Sequence, residues 1–115
     1  AIVPAWTLGG KPVLGPIPLT QIKGALFAAA GEDDLLWNSF GALQVVRMEL
    51  HGRRDVVTLA YPHAGHNVGF PVPNVPTRSV VHSRYGTLDL GGTQQADALA
   101  RAQEWPALLR FLARV

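Results

Sequence analysis

At 115 residues the chain has room for one domain with a modest core, and 48% hydrophobic against 16% charged residues is the balance of a soluble globular protein. A formal net charge of +2, no Lys/Arg cluster beyond Arg53–Arg54 and no aromatic residues interleaved with basic ones exclude a nucleic-acid-binding surface. Cysteine is absent, which excludes disulfides and thiolate metal sites and suits the cytoplasm, and no apolar run nears the roughly 20 residues of a membrane span.

Residues 1–23, AIVPAWTLGGKPVLGPIPLTQIK, carry Pro4, Pro12, Pro16 and Pro18 with Gly9, Gly10 and Gly15, a density of breakers that forbids a long helix. The segment reads as loop with one short strand near Ile2 and Val3, and it lacks the charged and apolar blocks of a signal peptide. GALFAAAG, residues 24–31, is a continuous apolar run between glycines. Periodicity alone leaves a helix open, but the short length and flanking glycines favour a strand buried on both faces of a parallel sheet. Asn38 or Ser39 then caps a helix running to about His51, with Phe40, Leu43, Val46 and Leu50 on one face and Gly52 as a left-handed terminus. DVVTLAYP, residues 55–62, is rich in β-branched residues and closed by Pro62, which makes it the second strand. Strand, helix and strand at this spacing predict a crossover between parallel neighbours. FPVPNVPTR, residues 70–78, holds three prolines and must wander or extend, and the chain up to Thr93 reads as loop. From Thr93 the pattern turns helical, with an apolar stripe of Trp105, Leu108, Leu109 and Leu112. Pro106 either kinks this region or begins a second helix at its first turn.

Asp33 and Asp34 follow the first buried strand, where desolvating a carboxylate is costly unless something compensates it. His63 and His66, in YPHAGHNVGF, follow the second strand. Loops beyond the carboxyl ends of parallel strands line the functional crevice of an open sheet, so adjacent strands bring an Asp and a His together. Such a pair forms the rear of a nucleophile–acid–base triad, with Asp before His as in α/β-hydrolases. The His takes a proton from the nucleophile and passes it to the leaving group; the Asp fixes one ring nitrogen and stabilises the imidazolium.

Simpler readings stand beside these. The acid pair also suits a helix N-terminus, and His66 also suits a structural histidine. His63 reads as a surface or second-sphere residue, His51 as a helix end and His82 as a loop residue. His63 and His66 lack a third ligand, so no metal is expected. Arg53, Arg54, Arg78 and Arg84 either reach a phosphate or are simply solvated, and Gly91–Gly92 before a helix is a weak phosphate-cradling signal. Trp6, Trp37 and Trp105 read as packing, only Trp37 lying near the acids.

Three blocks also carry a resemblance: IPLTQIKGALFAAAGEDDLLWNS, LAYPHAGHNVGFP and GGTQQADALARAQEWPALLRFL. In this order they resemble the C-terminal catalytic portion of the acyl-CoA thioesterase and bile acid-CoA:amino acid N-acyltransferase family, and AWTLGGKPVLG is similar to the segment preceding it. The resemblance implies an α/β class: the C-terminal part of an α/β-hydrolase fold, a mostly parallel sheet flanked by helices. It implies a triad acting on an acyl-CoA substrate, with the acid at Asp34 and the base at His66. Asp33, Trp37 and Gly65 fall on motif positions without a proton-transfer role and read as positioning residues. No cofactor is implied.

The chain departs from the family pattern after His66, where NVGFPVP replaces an acidic residue before a Pro pair, and before IPLTQIKG, where a longer insertion is common. It also contains no Gly-x-Ser-x-Gly or Gly-x-Cys-x-Gly elbow; Ser39, Ser79 and Ser83 lack that context. Residues 1–115 are therefore expected to be a partial α/β-hydrolase domain holding the acid and base loops, inactive alone. Its unpaired sheet edges are expected to meet the missing N-terminal part of the same protein or a second copy. The expected activity is hydrolysis of an acyl-CoA thioester or transfer of its acyl group. The alternatives are a carboxylester or dienelactone-type hydrolase, and a non-catalytic binding or assembly module.

Overall fold

A computed structural model describes residues 7–12, 18–69, 72 and 77–115. The strand expected at Ile2 and Val3, and most of FPVPNVPTR, lie outside the described residues. Gly9 and Gly10 both adopt positive φ, 57° and 75°, the conformation demanded by a two-residue hairpin turn. Thr7–Leu8 (β1) and Lys11–Pro12 (β2) therefore pair antiparallel, where loop was expected. A single 3-10 turn, Leu19–Gln21, leads to the sheet.

The apolar run forms β3, Leu26–Gly31. Helix α1, Ser39–Glu49, follows, capped by Asn38, whose side chain accepts the Gly41 N–H at 2.9 Å. Leu43 and Leu50 are buried, Phe40 and Val46 are half-buried, and Gly52, at φ 82°, turns the chain back. The β-branched run then forms β4, Val56–Tyr61, parallel to β3 in continuous register from Leu26 opposite Val56 to Gly31 opposite Tyr61. Both strands thus end at one rim. Only Ala30 and Gly31 of β3 are buried, so its expected burial on both faces holds only at that rim.

Residues 80–89, expected as loop, form a second hairpin: β5, Val80–Ser83, and β6, Gly86–Asp89, antiparallel. Every residue of it is exposed. A ribbon wet on both faces has no reason to alternate apolar and polar residues, so the pattern that betrays a half-buried strand is missing. The described strands thus make one parallel ladder and two separate antiparallel hairpins, a mixed α/β arrangement.

Helix α2, Gln94–Leu112, starts at Thr93, whose hydroxyl accepts the Ala96 N–H at 3.1 Å. Side chains alternate across a strand. On one face of the ladder Ala29 and Leu59 pack against a cluster of Tyr61, Ala64, Val68 and Ala100 of α2. On the other, Thr58 accepts a hydrogen bond from Arg47 Nε of α1 at 3.0 Å. The ladder therefore lies between the two helices, and a Phe27–Phe111 ring pair 5.6 Å apart ties the end of α2 to β3.

Helix α2 continues through Pro106, which therefore does not begin a second helix. Both Pro106 and Ala102, whose carbonyl loses its donor there, are exposed, which lowers the cost of the lost hydrogen bond. The apolar stripe is also corrected. The buried residues of α2 are Asp97, Ala100, Arg101 and Glu104, and that face continues through half-buried Leu108 and Phe111. At ~100° per residue Leu109 and Leu112 are turned roughly 140° and 80° from Glu104. They are 47% and 54% exposed. Among the described residues no helix is long and apolar enough to cross a membrane.

Candidate active site

Gly31 and Tyr61 end their strands side by side, so the Glu32–Asp34 turn and the Pro62–His66 turn leave the same rim together. Backbone packs on backbone here. A Cβ on Gly31 would lie 2.3 Å from Ala64 O, one on Gly65 2.2 Å from Gly91 O, and one on Gly91 1.9 Å from Asp33 O. Acid turn, base turn and the Gly91–Gly92 turn therefore close on one another only because glycine stands at each contact. Three backbone hydrogen bonds lock the arrangement: Asp33 N–H to Ala64 O at 2.9 Å, His66 N–H to Leu90 O at 2.8 Å and Thr93 N–H to His63 O at 3.1 Å. The two glycines read as a weak phosphate cradle are filled by protein backbone.

Asp34 points inward, its side chain 2% exposed. Oδ1 accepts the N–H groups of Leu36 and Trp37 at 2.9 and 3.3 Å, and Oδ2 accepts the Ser39 hydroxyl at 2.6 Å. The remaining contact of Oδ2 is His66 Nδ1 at 3.1 Å. Burial pushes the Asp34 carboxyl up, but the hydrogen bonds from Ser39, His66, Trp37 and Leu36 outweigh it and hold the group below the usual carboxylate range. An ionised Asp34 can only accept, so Nδ1 of a neutral His66 carries the proton. Nε2 is left with a free lone pair. The His66 side chain is 29% exposed. With Asp34, Ser39, Trp37 and Val68 it borders a cavity of about 110 Å³.

Asp34 and His66, the two expected site residues, are thus brought together. Ser39 was not singled out for the site. It lies five residues along on the first turn of α1, and no local pattern announces a hydroxyl that reaches back across a turn. Trp37, expected nearby, reaches Asp34 through its backbone N–H, with its residue surface 55% exposed. His63, at φ 59°, stands outside with its Nδ1 3.5 Å from Asp33 Oδ2; the two side chains are 82% and 54% exposed.

Arg53 and Arg54 precede β4 and lie at the end of the ladder away from the rim. Arg53 is occupied structurally, donating to Ile22 O at 2.6 Å and Gly24 O at 2.9 Å and pairing with Asp55. Arg84 lies over the Tyr85 ring. Arg78 alone of the four is beside the site loop, its carbonyl accepting from Asn67. A larger cleft of about 420 Å³, lined by Tyr61, His63, Thr93, Leu99 and Gln103 among others, touches neither Asp34 nor His66. Among the described residues no cluster of three or more His, Cys, Asp or Glu is placed to hold a metal.

Residues 11–115 match the family model described as BAAT / Acyl-CoA thioester hydrolase C terminal, and the chain belongs to that family. It is 28% identical over 112 residues to the peroxisomal succinyl-coenzyme A thioesterase of Mus musculus, covering 93% of this chain and 26% of that protein. Human acyl-coenzyme A thioesterase 1 is 31% identical over 110 residues, 88% of this chain and 26% of that protein. Human bile acid-CoA:amino acid N-acyltransferase is 28% identical over 97 residues, 83% of this chain and 23% of that protein. The chain spans about a quarter of the length of these relatives.

Proposed function

We propose that this chain supplies the acid, Asp34, and the base, His66, of a nucleophile–Asp–His triad in a protein that hydrolyses acyl-CoA thioesters or transfers their acyl group. The observation carrying this reading is the 3.1 Å contact between His66 Nδ1 and an Asp34 carboxylate whose other positions are already filled by donors. That contact orients the ring and leaves Nε2 to do the work. A Ser or Cys from outside these 115 residues gives its proton to Nε2 as it attacks the thioester carbonyl. When the C–S bond breaks, His66 returns the proton to the coenzyme A thiolate. Nε2 then activates water for hydrolysis, or an amine for transfer, to release the acyl group.

The nucleophile is assigned to a part of the same protein outside these 115 residues, and the open sheet edge is assigned to that part or to a second copy. Three facts support this: the share of the relatives spanned, the single partner of β3 among the described residues, and the exposure of Leu35 and Leu112 at 67% and 54%. In the full-length protein His66→Ala should lower acyl-CoA turnover by about 10³-fold or more while the melting temperature stays near the parent's. Parental turnover by a folded His66→Ala protein would overturn the role of the pair. A preference for oxygen esters over matched thioesters would overturn the substrate class.

A further inference from the structure

Asp97 is 0% exposed, deeper than either member of the proposed pair. It lies in the first turn of α2, where an acid ordinarily faces solvent and complements the helix dipole. Its hydrogen bonds leave the helix instead. Oδ1 accepts the backbone N–H of Gly65 at 2.7 Å, and Oδ2 lies 3.3 Å from Asn67 Nδ2. Gly65 and Asn67 are the residues immediately before and after His66. Asn67 is held further by its own amide donating to Arg78 O at 2.6 Å, and its carbonyl accepts Arg101 Nε at 2.9 Å, one helical turn beyond Asp97.

The approach of Asp97 is itself built into the chain. A Cβ on Gly92 would lie 2.2 Å from Gly65 N and 2.9 Å from Asp97 Oδ1, squarely where their hydrogen bond runs. Any other residue at 92 would block the bond, so the second glycine of the Gly-Gly turn has a specific use.

We propose that Asp97 is a positioning residue for the base: it holds the residues on both sides of His66, Gly65 through its backbone N–H and Asn67 through its side-chain amide, and so keeps Nδ1 against Asp34 and Nε2 aimed into the site. The inference rests on the reading of His66 as the base. A rigid scaffold beneath a catalytic side chain matters because misplacement by about 1 Å costs on the order of 10²-fold in rate.

Asp97→Asn tests this in the full-length protein. It keeps the shape but turns one acceptor oxygen into a donor facing either the Gly65 N–H or the Asn67 amide. Flipping Asn67 in response would set its oxygen against the Arg78 carbonyl. The expected result is a kcat lowered about 10- to 100-fold, KM within about twofold of the parent's, and weakening of the low-field proton resonance of His66 Nδ1–H. A folded Asp97→Asn protein with parental kcat, or a loss equal to its unfolded fraction, would overturn the proposal. Should that variant fail to fold, Asn67→Ala removes one arm of the clamp and should lower kcat several-fold; parental kcat there overturns it equally. His66→Ala in the same assay separates the two claims: if it stays active, both fall, whereas an inactive His66→Ala beside a fully active Asp97→Asn removes only the role of Asp97.

Discussion

Two Asp–His pairs stand on the same two turns. Asp33 and Asp34 are adjacent in the chain, and His63 and His66 are three residues apart, yet the pairs differ in every physical respect. Asp33 and His63 meet at 3.5 Å with side chains 54% and 82% exposed, where water competes for both partners. Asp34 and His66 meet at 3.1 Å with the carboxylate 2% exposed and saturated by donors. Residue types and chain order are shared, so neither distinguishes them. What distinguishes them is the backbone: the Asp33 N–H is committed to Ala64 O, and the next residue turns its side chain into the space between the strand ends.

Replacing each acid with its amide gives the sharpest test of that contrast. Asp34→Asn should reduce turnover of the full-length protein by about 10³- to 10⁴-fold, because an NH₂ group facing Nδ1 favours the wrong tautomer of the base. Asp33→Asn should leave turnover within about twofold, as expected for an exposed pair worth little. Steady-state kinetics on both variants decides the matter: equal losses would mean that the two pairs act as one unit.

A smaller effect is expected at Ser39, whose hydroxyl donates to the same carboxylate oxygen that His66 touches. Ser39→Ala removes one of the four donors without disturbing the Asn38 cap. A hydrogen bond to a charged group is worth roughly 1.5–3 kcal/mol, so turnover should fall about tenfold and the pH profile of kcat/KM should move. An unchanged rate and profile would mean that the backbone donors of Leu36 and Trp37 suffice.

The contrast also shows which parts of the molecule were legible beforehand. Apolar run, β-branched run and caps announced β3, α1 and β4, because each obeys a local rule of burial or end-satisfaction. That an Asp and a His would meet followed from those strands ending at one rim, whereas the choice of Asp34 and His66 among the four came from the family resemblance. The Gly9–Gly10 hairpin turn was legible in principle, since a Gly-Gly pair permits two successive positive φ values. The exposed hairpin at 80–89 carried no such signal. The use of Ser39, Asp97 and Gly92 was out of reach for another reason: each depends on contacts between turns distant in the chain, and a helix whose buried face is polar does not register as a hydrophobic stripe.

Glu104 supplies the last contrast, this time with Asp34. Both are buried carboxyl groups, but Glu104 Oε2 has no hydrogen-bond partner among the described residues. Burial pushes the Glu104 carboxyl up to about 7 against the opposing pull of Arg101. The two acids therefore act on stability with opposite sign. Asp34, held below its ordinary value, stabilises the fold at neutral pH and loses that contribution as pH falls through its lowered value. Glu104 holds in the folded state a proton that an unfolded chain has released, so its contribution is complete below its ordinary value of 4.5 and is lost as pH rises through about 7. Glu104→Gln keeps the neutral form at every pH. The parent's melting temperature should decline by a few degrees relative to this variant between pH 5 and pH 7.5, with the variant the more stable of the two above pH 7. Parallel melting profiles would mean that the rest of the protein provides Glu104 with a donor, making its environment resemble that of Asp34.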